Sequence, residues 1–406
     1  MKILTKKPRR CLSSSFHLSS SSVVALVVSL AAHYAYSHPT FPCIGAWALL
    51  QWFYPITTSD MSAGCSGSEN KNVYCMIFDQ ITRLQEGKRP RQHNEQEPHF
   101  VANSNIIEIP TADVQKHRHD MLQNLEQKFG KDWRRRPVLF KGLWTADELV
   151  LNTDGTPRKL SMENLLQMDL TIPYFYNATI KTITPDGLGS VSNILRNITL
   201  GRPHKIGTQL IVENDPDLIQ EVAPLDLISE LFGGYFTSDR VRGSGPWNMF
   251  PAMTTVPIFI AKNEGKGPIA NTNTTPQGPF TTLHCEPIGN IAVQLSGRKK
   301  WTLVLPEHSF RIKPGISPDG RAFFASWANE SEIDDVPKYE VATAAGDALW
   351  VPTWTWHRVD YIPSEDVSLA ASLFHFRVLD FYQNNPLFAA LMIPAMVKEL
   401  LGFNTQ

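Results

Sequence analysis

The sequence predicts a mostly β domain with helices on its flanks, and three observations carry that expectation. Beyond residue 250, short apolar or alternating runs follow one another at turn-length spacing. They are T-T-V-P-I-F-I-A (254–261), I-A-V-Q-L (291–295), K-W-T-L-V-L-P (300–306), Y-E-V-A-T (339–343), D-A-L-W-V-P (347–352) and V-S-L-A-A-S-L-F-H-F (367–376). Gly, Pro and Asn turns separate them. Many short strands so spaced suit a sandwich or barrel. Helical periodicity, by contrast, is strongest before this region and after it.

From the N-terminus, residues 1–10 carry Lys2, Lys6, Lys7, Arg9 and Arg10, followed by a Ser-rich run and the apolar run Val23–Ala32. A basic region, a short apolar run and small residues near Ala35-Tyr36-Ser37 form the pattern of a secretory signal. The run is shorter than the roughly 20 residues of a comfortable bilayer span. Cys43–Tyr54 is also apolar, so an uncleaved single-pass anchor with its basic end in the cytosol stays open, as does an organelle transit segment. Four N-x-[ST] sequons, at Asn177, Asn197, Asn273 and Asn329, agree with a secretory lumen, endoplasmic reticulum or Golgi, if they are exposed. Cys65 and Cys75 could bridge, with Cys43 competing.

Residues 57–105 read as a stem, rich in Ser, Gly, Thr and charge and poor in core-forming side chains. Order is expected from Ile106, where I-I-E-I-P is strand-like. Val114–Phe129 has helical spacing, with Gly130 as its stop. R-P-V-L-F-K-G-L-W (136–144) reads as a buried strand. Leu160–Met168 reads as a short helix capped by Ser161. Ile206–Val212 is β-rich, and 224–232 is an amphipathic helix ended by Gly233-Gly234. Asn384–Gly402 is helical and apolar over most of its circumference, hence buried or used for a homodimer. Lys+Arg number 38 and Asp+Glu 39, so no basic excess favours a nucleic-acid partner.

The chemistry concentrates in F-T-T-L-H-C-E-P-I-G-N-I-A-V-Q-L-S-G-R-K-K-W (280–301). On a strand, residues i and i+2 face the same way, roughly 6–7 Å apart. His284 and Glu286 can therefore lean onto one divalent ion, with Cys285 turned away. Two His and one carboxylate with open positions select non-haem Fe(II). The third ligand must come from elsewhere, and His357 in L-W-V-P-T-W-T-W-H-R-V is the candidate. The bland alternatives are a chance His-x-Glu pair, a solvent-facing Lys299 in the charged turn Arg298-Lys299-Lys300, and a core role for His375 and for Trp350, Trp354 and Trp356.

Thr281, His284-Cys285-Glu286, Asn290, Gln294, Gly297 and Lys299, followed by W-T-L-V-L-P, resemble the ligand-bearing half of JmjC-type cupin oxygenases. G-D-A-L-W-V-P-T-W-T-W-H-R-V (346–359) and S-L-F-H-F (372–376) resemble the closing half. The pattern looks most similar to the asparaginyl-hydroxylase type. The resemblance implies a double-stranded β-helix, or jelly roll, with His284, Glu286 and His357 as metal ligands and catalytic centre. It also implies Thr281, Asn290 and Lys299 as contacts to 2-oxoglutarate, and Fe(II)-dependent hydroxylation with O2 of a protein or small-molecule substrate. Glu286 stands where many hydroxylases carry Asp, and Ser372 where that branch often has Asn. A catalytically silent binding protein and a metal cupin that does not use 2-oxoglutarate remain as alternatives. The implied organisation is a signal peptide or anchor (1–37), a stem and lead-in (38–136), a JmjC/cupin-like catalytic domain (137–380) and a C-terminal helix (381–406).

Overall fold

The structure is a computed structural model that describes residues 106–117, 120–152, 154–176, 185–222, 256–264, 279–316, 322–376 and 378–400. The signal or anchor segment, Cys43, Cys65, Cys75, the sequons at Asn177 and Asn273 and the helix expected over 224–232 lie outside these residues.

The β core matches the expected class. Its strands are β1 (Ile107–Ile109), β2 (Val138–Phe140), β3 (Thr171–Tyr176), β4 (Gly187–Ser190), β5 (His204–Thr208), β6 (Ile258–Ala261), β7 (Phe280–Cys285), β8 (Gly289–Ser296), β9 (Arg298–Val304), β10 (Pro314–Ile316), β11 (Phe324–Ser326), β12 (Tyr339–Ala344), β13 (Ala348–Val351), β14 (Trp356–Tyr361) and β15 (Ser368–His375). A nine-stranded sheet runs β1-β2-β13-β8-β15-β6-β5-β3-β4, and a six-stranded sheet runs β10-β11-β7-β14-β9-β12. From β6 to β9, and again from β12 to β15, successive strands alternate between the two sheets. That crossing is the jelly roll: each sheet's inner face is covered by the strands that follow in sequence.

Strand alternation then sorts the core into three layers. Ala292, Leu349 and Val351 of the larger sheet meet Trp301, Leu303, Val341 and Val359 of the smaller one between the sheets. The outer face of the larger sheet (Ile258, Ile260, Ile291, Val293, Trp350, Leu373) packs on N-terminal helices. These include α1 (Thr111–Lys116), α2 (Met121–Phe129), α3 (Met162–Gln167) and α4 (Val191–Thr199). The outer face of the smaller sheet (Leu283, Cys285, Val304, Trp356) is covered by α8 (Val378–Asn384) and α9 (Pro386–Leu400), after the short α5 (Leu210–Asn214), α6 (Leu218–Val222) and α7 (Glu330–Asp334). The apolar C-terminal helix is thus buried on its own chain through Phe388, Leu391 and Met392. Cys285 is a buried free thiol in that layer, as its alternation predicts.

Some elements depart from the sequence reading. Helix 114–129 is two helices, α1 ending at the Lys116–His117 boundary and α2 stopping at Gly130, whose φ of 75° only glycine adopts without strain. The β-rich run 206–212 is a strand to Thr208 and then the helix α5, because Ile211 and Val212 bury against the helical layer. The described residues from 107 to 135 pack with the β core. β1 pairs in parallel with β2, and Val114, Met121, Leu125 and Trp133 are fully buried in the same core. Ser161 caps α3 as expected, accepting the Asn164 N–H at 3.3 Å. No helix among the described residues is long and apolar enough to cross a membrane.

The G-D turn has a direct physical reading. Gly346 has φ of 91°, and a Cβ there would meet the Trp144 carbonyl oxygen at 2.5 Å. The carboxylate of Asp347 is buried and accepts from Lys141 Nζ at 2.5 Å, Gly142 N at 3.0 Å and Ala344 N at 3.0 Å. It ties β2 to the turn that launches β13, and so fixes where the following β14 begins.

Candidate active site

β14 lies between β7 and β9, and its register puts His357 directly opposite His284. Their ring centroids are 4.2 Å apart, with the planes at 53°. The two residues are 73 positions apart in sequence, so no local signal brings them together; the sheet does.

Both imidazoles are held in the same way. Nδ1 of His284 donates to the Thr282 carbonyl oxygen at 2.8 Å, and Nδ1 of His357 donates to the Thr355 carbonyl oxygen at 3.1 Å. A carbonyl only accepts, so each ring carries its proton on Nδ1 and keeps a lone pair on Nε2. Burial holds His284 down at about 4, with Lys205 adding to the effect, and holds His357 down at about 3, with His284 adding. Both rings are therefore neutral at physiological pH. Neutral imidazoles whose Nδ1–H is tied to the backbone are the form that ligates a metal.

A bulge in the β7–β14 ladder explains the remaining spacing. The register advances from His357↔His284 to Val359↔Thr281, two residues on one strand against three on the other. Strict alternation would place residues three apart on opposite faces. The extra residue restores parity, so Thr281 shares the inner face with His284, opposite the inward Val359. Thr281 Oγ1 accepts the Val359 N–H at 3.0 Å, and its own proton is left for another acceptor.

Lys299 does not face solvent. It is 3% exposed on the inner face of β9. It sits opposite Tyr361, with its ammonium 5.0 Å from that ring's centre and 5.4 Å from the ring of Phe259 across the barrel. Burial, with the charge of Lys205 adding to it, lowers its pKa to about 7. Asn290, also buried, donates from Nδ2 to Ser372 Oγ at 3.3 Å, while its Oδ1 has no hydrogen-bond partner among the described residues. An orphaned buried amide oxygen is costly unless a ligand or water serves it.

Glu286 follows β7. Its carbonyl accepts the Trp354 N–H at 3.0 Å, which ties the Glu286 backbone to the turn that precedes His357. Trp354 has φ of 65°, a left-handed conformation costly for a bulky residue, and it persists because the ring is fully buried and Nε1 donates to the Phe381 carbonyl at 2.8 Å. Among the described residues, no three His, Cys, Asp or Glu side chains converge as a metal cage. The two imidazoles are brought together; the Glu286 carboxylate is not gathered with them.

Trp350 and His375 stack at 5.1 Å in the outer core, away from this face. Two residues at the site were not singled out from sequence. Tyr361 lies one strand from Lys299. Lys205 is buried on β5, immediately ahead of the run 206–212 that the sequence marks as β-rich.

The interleaved sheets define the class of this domain, a mostly β jelly roll with flanking helices, and it carries a facing imidazole pair on its inner surface. Residues 264–381 match the family model of the cupin-like domain, well under half of the chain, and the match supports the cupin/JmjC superfamily. No curated protein matches the chain.

Proposed function

We propose that the chain is an Fe(II)- and 2-oxoglutarate-dependent dioxygenase of the asparaginyl-hydroxylase-like branch, acting on a protein side chain or another substrate of the secretory lumen. The observation that carries this reading is the pair of neutral imidazoles, His284 and His357, each held at Nδ1 and open at Nε2. The two neutral imidazoles are donors that suit a divalent iron, and Glu286, next after β7, would have to swing its carboxylate toward them to complete the set. When bound, iron and 2-oxoglutarate supply the oxidising chemistry with O2.

The chain's own residues do the rest. Lys299 offers an ammonium in a largely dry pocket, where a carboxylate partner is held more strongly than in water. Thr281 has a hydroxyl proton free for the same carboxylate, and Asn290 presents an unserved amide beside it. Ala292, Leu349, Val351 and Trp301 keep the space between the sheets dry. The lumenal setting rests on the N-terminal basic–apolar pattern and the sequons.

The test is conversion of 2-oxoglutarate to succinate by purified protein with Fe(II), set against His284→Ala. The proposal expects turnover that the variant loses. Succinate formed equally by the variant would overturn it. One observation favours a second reading, a catalytically silent binding domain: among the described residues no carboxylate joins the two imidazoles as a third ligand. Absence of metal binding by the wild type would favour that reading.

A further inference from the structure

We propose that Lys205 is a second cation of the same pocket, so that the distal carboxylate of the diacid is held by two ammonium groups from opposite sheets. This rests on the cosubstrate reading above and adds to it a residue that neither the motif spacing nor the family match singles out.

The placement follows from register. On β5 and β6, Ile206 pairs with Ile260, and both lie in the outer core. By alternation Lys205, which pairs with Ala261, and Gly207, which pairs with Phe259, face the space between the sheets. Gly207 makes room there, since a Cβ would come within 3.2 Å of the Phe259 ring. That same ring lies 5.4 Å from the ammonium of Lys299, which reaches across from β9. Lys205 from the larger sheet and Lys299 from the smaller one therefore converge around Phe259.

Both lysines are buried, Lys205 at 6% and Lys299 at 3% exposure. Neither ammonium has a hydrogen-bonding or ion-pair partner among the described residues. Two buried, unpaired ammonium groups in one compartment are unfavourable unless an anion enters. Register and burial thus put both lysines on the inner faces of the two sheets, Lys205 on the larger and Lys299 on the smaller. A diacid reaching from the imidazoles toward Lys299 would lie between the sheets, on whose inner faces both lysines stand. The socket is thus built for a dianion, and a keto acid without a distal carboxylate leaves both charges unmet.

The test is calorimetric titration of the full chain, with Zn(II) replacing iron so that no turnover intervenes. The probes are 2-oxoglutarate and 2-oxopentanoate, which lacks the distal carboxylate. Lys205→Met and Lys299→Met should each weaken 2-oxoglutarate binding by about tenfold or more, Lys205→Arg by far less, and Lys205→Met should leave 2-oxopentanoate binding unchanged. Melting is followed in parallel, and Lys205→Met should melt no lower than wild type, because an unpaired buried charge is removed. Lys205→Gln serves as a second variant should Met disturb folding.

Wild-type-like 2-oxoglutarate binding by Lys205→Met, together with loss in Lys299→Met, would overturn this inference and leave the cosubstrate reading standing. Equal weakening of both keto acids by Lys205→Met would also overturn it. No 2-oxoglutarate binding by wild type would overturn both.

Discussion

His284 and His357 stand opposite each other on adjacent antiparallel strands, ring centroids 4.2 Å apart, each with Nδ1 bonded to the carbonyl two residues before it. The repeated i to i−2 bond fixes tautomer and ring direction without help from any other side chain. The site therefore depends on the strand pairing itself, and its predictions concern that pairing and the groups beside it.

Lys299 makes apo stability depend on pH. Its pKa in the fold is lowered by burial to about 7, against 10.5 when unfolded. Between those values the unfolded chain binds more protons than the folded one, so stability rises with pH from about 7 toward 10 and is lowest below 7. Lys299→Met should flatten that part of the profile and raise the melting temperature near neutral pH. Melting scans across this range check it.

Asp347 should be among the most sensitive positions outside the site. Its carboxylate is 4% exposed and serves Lys141, Gly142 and Ala344. Asp347→Ala leaves two N–H groups and the partly exposed Lys141 ammonium without their acceptor, and each N–H left unserved costs about 1–3 kcal/mol. Urea unfolding measures it.

Trp354 holds its φ of 65° through a buried ring. Trp354→Ala should destabilise by about 3–5 kcal/mol through the lost ring volume. Trp354→Gly loses the same ring but removes the left-handed strain, so it should recover about 1 kcal/mol relative to Ala. An Ala variant at least as stable as the Gly variant would contradict the assigned strain.

The two described sequons should behave differently if the chain enters a secretory lumen. Asn329 is exposed at the start of α7, where its Oδ1 caps Glu332 N at 2.9 Å and accepts from Ser331 Oγ at 2.8 Å. Asn197 lies inside α4, with Oδ1 taken by Arg202 at 2.9 Å. Peptide mapping after expression in secretory cells should find a glycan on Asn329 and none on Asn197.

Much of this architecture is readable in the chain. The run 339–343 forms a strand because its alternation suits a half-buried sheet, 291–295 because a short, mostly apolar run suits one buried on both faces, and His284 and Glu286 stand out by spacing. His357 stands out by its G-D-A-L-W-V-P approach. What stays hidden is non-local. Trp356–Tyr361 follows a Pro-Thr-Trp-Thr turn and shows its strand character only once β7 and β9 flank it. The bulge that carries Thr281 to the inner face exists only in the pairing with β14. Lys205 sits in a short strand whose inward side is decided by a partner more than fifty residues later, so its burial has no local sign.

The central claim is that the facing imidazoles hold a divalent ion. Equilibrium dialysis of the full chain against Fe(II) under nitrogen tests it most directly. Wild type should retain one ion per chain, and His284→Ala and His357→Ala should each weaken retention by about a hundredfold. Retention unchanged in either variant, or none by wild type, would contradict it.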